Sequence, residues 1–204
     1  MSRDSGLGTR DSEKSPRQIP GFEAPVLGLH LAALALAIGP PVFFALGVAP
    51  ASFRVLPTRD MAASLQSPIL TIACRLAEGS FAVLFLTSWL LSRWWDAPRL
   101  ARTLATRAAI LGMITAVVIE SLLIPPMDRI RAEAGLLDTL PATDPSRILL
   151  ARYHRLATGF FSAGLAAAVV ILFATVRLIA MRRRTPPAPP APPVVPKLLD
   201  LSDV

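Results

Sequence analysis

VLGLHLAALALAIGPPVFFALGVA, residues 26–49, contains no Asp, Glu, Lys or Arg. At 1.5 Å per residue a helix of about 24 residues reaches about 36 Å, enough to cross a hydrocarbon core of ~30 Å. Three further apolar runs of similar length follow at residues 68–91, 104–124 and 156–180. Only a helix or a closed barrel satisfies its backbone in lipid, and runs of this length exclude barrel strands. The expected fold is therefore all-α, an integral membrane four-helix bundle with antiparallel, up-down connections. Composition agrees: 53 % of the 204 residues are hydrophobic, 17 % are charged and the mean hydropathy is +0.54. Soluble domains carry about 25 % charged residues.

Outside residues 26–181 the composition changes. Residues 1–25 mix both charge signs with Ser, Gly and Pro, which predicts a disordered tail. Residues 182–204 begin with three arginines and continue as TPPAPPAPPVVP, an extended polyproline spacer. The net charge of +7 is carried mainly by arginines flanking the apolar runs, so it reads as a topology signal rather than a nucleic-acid surface. The two tails and the loop after the second run, counted with Arg107 and Arg177 at the neighbouring run ends, hold 13 of the 21 Lys and Arg residues. The other two loops hold 7, and Arg75 lies inside a run. Both termini are thus expected in the cytoplasm. An abundance of Ala, Arg and Pro resembles a high-GC bacterial genome, so the expected home is the bacterial inner membrane. Ala49-Pro50-Ala51 resembles a signal-peptidase site, but the apolar run before it exceeds the usual 7–15 residue signal core.

Four of the ionisable residues within the apolar runs or at their rim belong together. Arg75 and Glu78 lie in the second, Glu120 near the end of the third, and His154 at the start of the fourth. With alternating directions, all four fall in one half of the membrane, the outer half under the expected orientation. Charge in lipid costs ~2.5–3.5 kcal/mol at a span centre, so these groups call for mutual pairing or a wet cavity. Arg75 and Glu78, three residues apart, share a helix face. The cluster supports two readings, an ion or solute site and an ion-pair clasp that only holds the bundle together.

Other features are structural. Pro40-Pro41 predicts a kink or break in the first span, and Pro125-Pro126 a stop to the third. Met127, Ile130, Ala134 and Leu137 at helical spacing predict a short amphipathic helix on the membrane surface. Gly159, Ala163 and Ala167 recur every four residues, a stripe that admits close helix approach. Trp89, Trp94 and Trp95 mark a membrane boundary. The lone Cys74 excludes an internal disulfide and a cysteine metal cluster.

No HExxH, P-loop or GxSxG motif occurs, so no metal, cofactor or catalytic residue is assigned, and a non-enzymatic role is favoured. A haem held by His30 and His154 is excluded, because the two begin antiparallel spans at opposite faces. A membrane redox subunit would need a chromophore for which the sequence offers no other support.

Residues 39–57, GPPVFFALGVAPASFRVLP, resemble the first span and exit of the transmembrane protein 205-like family, a four-helix membrane domain of unknown function. Residues 124–135, IPPMDRIRAEAG, resemble its motif after the third span, and residues 153–165, YHRLATGFFSAGL, its entry to the last. The resemblance covers about residues 26–180 and departs from the family pattern at Ala157 and Phe161. It implies importance for Pro40, Phe53, Pro125, Arg129 and His154, and adds Arg129 to the binding candidates. Expected partners are the lipid bilayer and a membrane-protein partner or a second copy of the chain, with no nucleic acid.

Overall fold

The computed structural model describes residues 21–95, 98–135 and 137–184. The expectations for the N-terminal tail up to residue 20 and the proline-rich segment from residue 185 lie outside the described residues. Four helices dominate: the first Glu23–Val55, the second Arg59–Trp94, the third Arg99–Ala134 and the fourth Pro145–Arg184. No strand occurs among the described residues. All four helices are long and apolar enough to cross a membrane, so the chain is a multi-pass membrane protein by length and composition.

Local chemistry sets the helix ends. Thr58 accepts a hydrogen bond from the Met61 backbone N–H at 3.2 Å, capping the second helix. The third helix starts directly after Pro98 and stops before Gly135, whose φ of +68° lies where a side chain would be strained.

Facing residues establish antiparallel neighbours. Between the first and second helices, Ser52 meets Gln66, His30 meets Thr87 and Glu23 meets Trp95. Between the second and third, Ser67 meets Asp128 and Arg75 meets Glu120. The first helix closes on the fourth through His30–Thr175 and a tilted Phe44–Phe161 pair, ring centroids 6.4 Å apart. In each case numbers rise on one helix as they fall on the other. The result is the expected up-down ring, with both described chain ends at the end carrying Trp95 and Arg102.

The prolines do not break the helices. The first helix continues through Pro40 and Pro41 and then widens into a π turn at Phe44–Val48, just before Pro50. The third widens likewise at Ile119–Leu123, just before Pro125 and Pro126, and runs on to Ala134. A proline ring collides with the carbonyl four residues back. A π turn moves that carbonyl away, which accounts for finding one immediately ahead of Pro50 and another ahead of Pro125. Of the kink or break expected at Pro40-Pro41 the break does not occur, and the stop expected at Pro125 is corrected. The amphipathic segment after Pro125 is helical, with Met127 and Leu137 buried, but its helix extends the third one rather than lying apart.

A 36-residue helix is about 54 Å long, against ~30 Å of hydrocarbon. The tryptophans fix one boundary, so the surplus projects at the other end as a polar cap. There Asp128 accepts from Ser67 at 2.9 Å and from Arg131 at 2.9 Å. Asp138 accepts from the Arg59 backbone N–H at 2.8 Å.

The core is rich in alanine. Ala33, Ala37, Ala77, Ala109, Ala116 and Ala168 pack around Leu34, Phe81, Leu84 and Ile171. Small residues let helices approach closely where no hydrophobic driving force acts in lipid. Among the described glycines, Gly112 and Gly164 are the most tightly packed. A Cβ at Gly112 would meet the Phe81 ring at 2.2 Å, and one at Gly164 would meet Thr115 Oγ1 at 2.7 Å. The expected stripe is out of phase with this face: Gly159 is exposed, Ala163 half-buried, and only Ala167 buried.

Candidate functional site

The second and third helices run antiparallel with Arg75 opposite Glu120. The Arg75 Nε donates to Glu120 Oε1 at 2.7 Å. Glu78, one turn along the same helix from Arg75, lies close enough to Arg75 and Glu120 to interact with both electrostatically. Three of the five residues singled out in the sequence thus converge. One guanidinium and two carboxyl groups thus share one level of the bundle.

The cluster sits on the flank of the bundle. The Arg75 side chain is 72 % exposed, whereas Glu120 is 17 % exposed. The aliphatic stem of Arg75 can carry the guanidinium toward the headgroups, where the polar cap begins. Along the second helix Arg75 and Arg93 are 18 residues apart, roughly 27 Å, close to the thickness of the hydrocarbon layer. The pair therefore lies toward one end of the apolar stretch of the second helix rather than at its middle.

His154 and Arg129 do not join the cluster. Ala157 packs with Cys74, Ile119 and Leu123 near the level of Glu120, and His154 lies about one turn, ~5 Å, farther out with its ring exposed. Its carbonyl accepts from Thr158 at 2.9 Å. Arg129 is exposed on the cap, nine residues or roughly 13 Å along the third helix from Glu120. Arg131, not Arg129, pairs with Asp128. Pro41 lines a cavity of about 30 Å³ on the bundle axis, walled by Ala37, Ala73, Cys74, Phe81, Thr115 and Phe161 among others.

A second polar site lies toward the opposite end. His30 is 1 % exposed and ties three helices together: Nδ1 is 2.8 Å from Thr87 Oγ1, and Nε2 is 2.9 Å from Thr175 Oγ1. Each threonine hydroxyl also lies within donating distance of its own backbone, Thr87 to Val83 O at 2.7 Å and Thr175 to Ile171 O at 2.8 Å. A hydroxyl has one proton and a neutral imidazole one N–H. With a neutral ring, only one threonine keeps its backbone bond while the other donates to the ring. A doubly protonated ring lets both keep theirs. Ring proton and hydroxyl orientation are therefore locked together. The sequence held one clue to this site: His30 is the sole ionisable side chain in the first apolar run. Its partners, hydroxyls distant in sequence, had no local signature.

Along the fourth helix His30's partner Thr175 is 21 residues from His154, roughly 31 Å, so one iron cannot take both imidazoles. Among the described residues no group of three or more His, Cys, Asp or Glu side chains is placed to hold a metal ion. No protein-family model matches the chain, and neither a curated protein nor a solved structure matches it.

Proposed function

We propose that this membrane protein binds a proton, or a small monovalent cation in its place, at the Arg75–Glu78–Glu120 cluster. The observation carrying the reading is the Arg75–Glu120 ion pair with a second carboxyl, Glu78, on the next turn of the same helix. Ionised, the trio has one negative charge too many for an apolar flank, and a bound cation restores neutrality. The protein sits in the bacterial inner membrane with both termini cytoplasmic, which places the cluster in the outer half and the cap in the periplasm. The excess of Lys and Arg on the other side supports that orientation. Kinship with the transmembrane protein 205-like family is part of the same proposal and adds no reaction to it.

Infrared spectra of the protein in bilayers test the reading. A carboxylic-acid carbonyl band is expected that disappears in both Glu78→Gln and Glu120→Gln. Absence of the band in the native protein, with no spectral response to added sodium or potassium, refutes cation binding. Glu120→Cys in a Cys74→Ala background should react with a membrane-impermeant thiol reagent added outside the cell.

A second reading follows from the exposure of Arg75. A guanidinium on the bundle flank is placed to meet a lipid phosphate, a membrane-protein partner or a second copy of the chain. The cluster then acts as an interaction clasp. On that reading exchanging Arg75 and Glu120 preserves function, whereas the cation-binding reading expects function to be lost because the exchange moves the two carboxyls onto one helix and the guanidinium onto the other.

A further inference from the structure

A groove of about 280 Å³ opens on the flank of the bundle where the third helix begins and the fourth ends. Leu100 and Leu104 on the third helix and Val170 and Phe173 on the fourth line it, and all four are exposed. Between them Ala101 and Ala174 are too small to fill the space. Val170, Phe173 and Arg177 fall three and four residues apart, so they share one face of the fourth helix, and Arg177 closes the polar end of the groove. Clefts that hold small molecules start near ~300 Å³, so the groove admits a chain-like ligand whereas the axial cavity of about 30 Å³ at Pro41 does not.

The polar end is positively charged. Arg99 and Arg102 are exposed beside Arg177 in the first turn of the third helix. Neither ion pair among the described residues, Arg75–Glu120 or Arg131–Asp128, involves any of the three. That helix start carries no acidic residue and no side-chain cap, and the backbone N–H groups of Arg99, Leu100 and Ala101 have no acceptor within the helix. Two arginines at the positive end of a helix dipole repel it, and an anion placed there relieves the conflict. Residues 93–107 hold four arginines against one acid, Asp96, and residues 170–184 hold four against none, so the local sequence does not balance the charge. Trp94 and Trp95 close the second helix at this same end and set it at the headgroup level.

We propose that the groove binds an anionic phospholipid, with the lipid phosphate at Arg177 and the start of the third helix and one acyl chain lying between Leu104 and Phe173. Basic pockets between transmembrane helices recognise anionic headgroups in this way. A free phosphate would meet the arginines but leave the apolar walls unused. A zwitterionic lipid would fill the walls but bring its own cation to the arginines. The site needs nothing from the Arg75 cluster, which lies toward the other end of the second helix.

The test uses the full-length chain in micelles doped with phosphatidylglycerol or phosphatidylethanolamine of matched acyl chains. Native mass spectrometry should show one phosphatidylglycerol retained per chain, preferred roughly fivefold or more over phosphatidylethanolamine. Excess inorganic phosphate should not displace it. Arg177→Gln should weaken retention roughly fivefold, the effect of one arginine near a membrane surface. Ala174→Leu fills the groove with the arginines intact and should abolish the preference. Arg152→Gln, an exposed arginine near the far end of the fourth helix, should change nothing. Equal retention of the two lipids, displacement by inorganic phosphate, or an equal loss in Arg152→Gln would overturn the proposal. So would a micelle dimer that Ala174→Leu dissociates, which would assign the groove to a second copy of the chain. The lipid comparison and the phosphate competition need no variant, so a misfolded Ala174→Leu leaves the test intact.

Discussion

Gly112 should be the least tolerant small residue in the bundle. A Cβ added there would lie 2.2 Å from Phe81 Cε1 and 2.3 Å from Cζ. Carbon atoms in contact prefer ~3.5 Å, so the ring must retreat by roughly 1.3 Å. Phe81 is buried between Ala77, Leu84 and Ala109. Its one open side is the axial cavity of about 30 Å³ that it shares with Gly112. Overpacking a core by a methyl costs ~1–3 kcal/mol. Replacing a helical glycine with alanine recovers up to ~1 kcal/mol of helix propensity. Gly112→Ala should therefore lower stability by ~0–2 kcal/mol, and Gly112→Val by more, because its second methyl exceeds the cavity. Phe81→Leu should rescue both. The assay is a double-mutant cycle on unfolding in mixed micelles, with a coupling of at least ~1 kcal/mol between positions 81 and 112. Gly112→Val as stable as the native protein, or additive losses with Phe81→Leu, refutes the packing argument.

Thr87→Val and Thr175→Val should each lower unfolding stability by ~1–3 kcal/mol, since each leaves a buried ring nitrogen of His30 unpaired. The double variant should lose less than the sum, because the two share the same ring. Asp128→Ala should cost only ~0.2–1 kcal/mol overall, as the Asp128 carboxylate is itself about half exposed. Its effect should appear as faster hydrogen exchange confined to the cap, and loss of protection near His30 would contradict that local role. Gly159→Ala should leave stability within about 0.5 kcal/mol of native, because nothing lies within 4 Å of the added methyl. A large loss in micelles would show that this exposed face is packed against something.

Much of the cluster was legible from residue order alone. Arg75, Glu78 and Glu120 share a level because antiparallel helices carry sequence distance from a turn into depth, and counting suffices for that. His154 joined that group because depth was read too coarsely, and Arg129 joined the candidates through the resemblance alone. The third helix does not end at Pro125, so the segment carrying Arg129 rises away from the cluster rather than folding across the membrane surface. The stripe of Gly159, Ala163 and Ala167 failed for another reason: spacing gives a helix face without saying which way it points. Gly164 and Ala168, one position on, occupy the face turned to the bundle.

What the chain's order of residues determined is the number of crossings, their alternation and the end at which polar groups gather. Hydropathy accumulates residue by residue and needs no knowledge of neighbours. What only the tertiary structure decided is azimuth. Successive residues turn by about 100°, so a small uncertainty in where a helix starts or widens sends a side chain to a different neighbour. The π turns before Pro50 and Pro125 each shift the faces beyond them. Such shifts determine which side chains can meet Arg75 and Glu120, and they leave His30 held between two threonines far away in the chain.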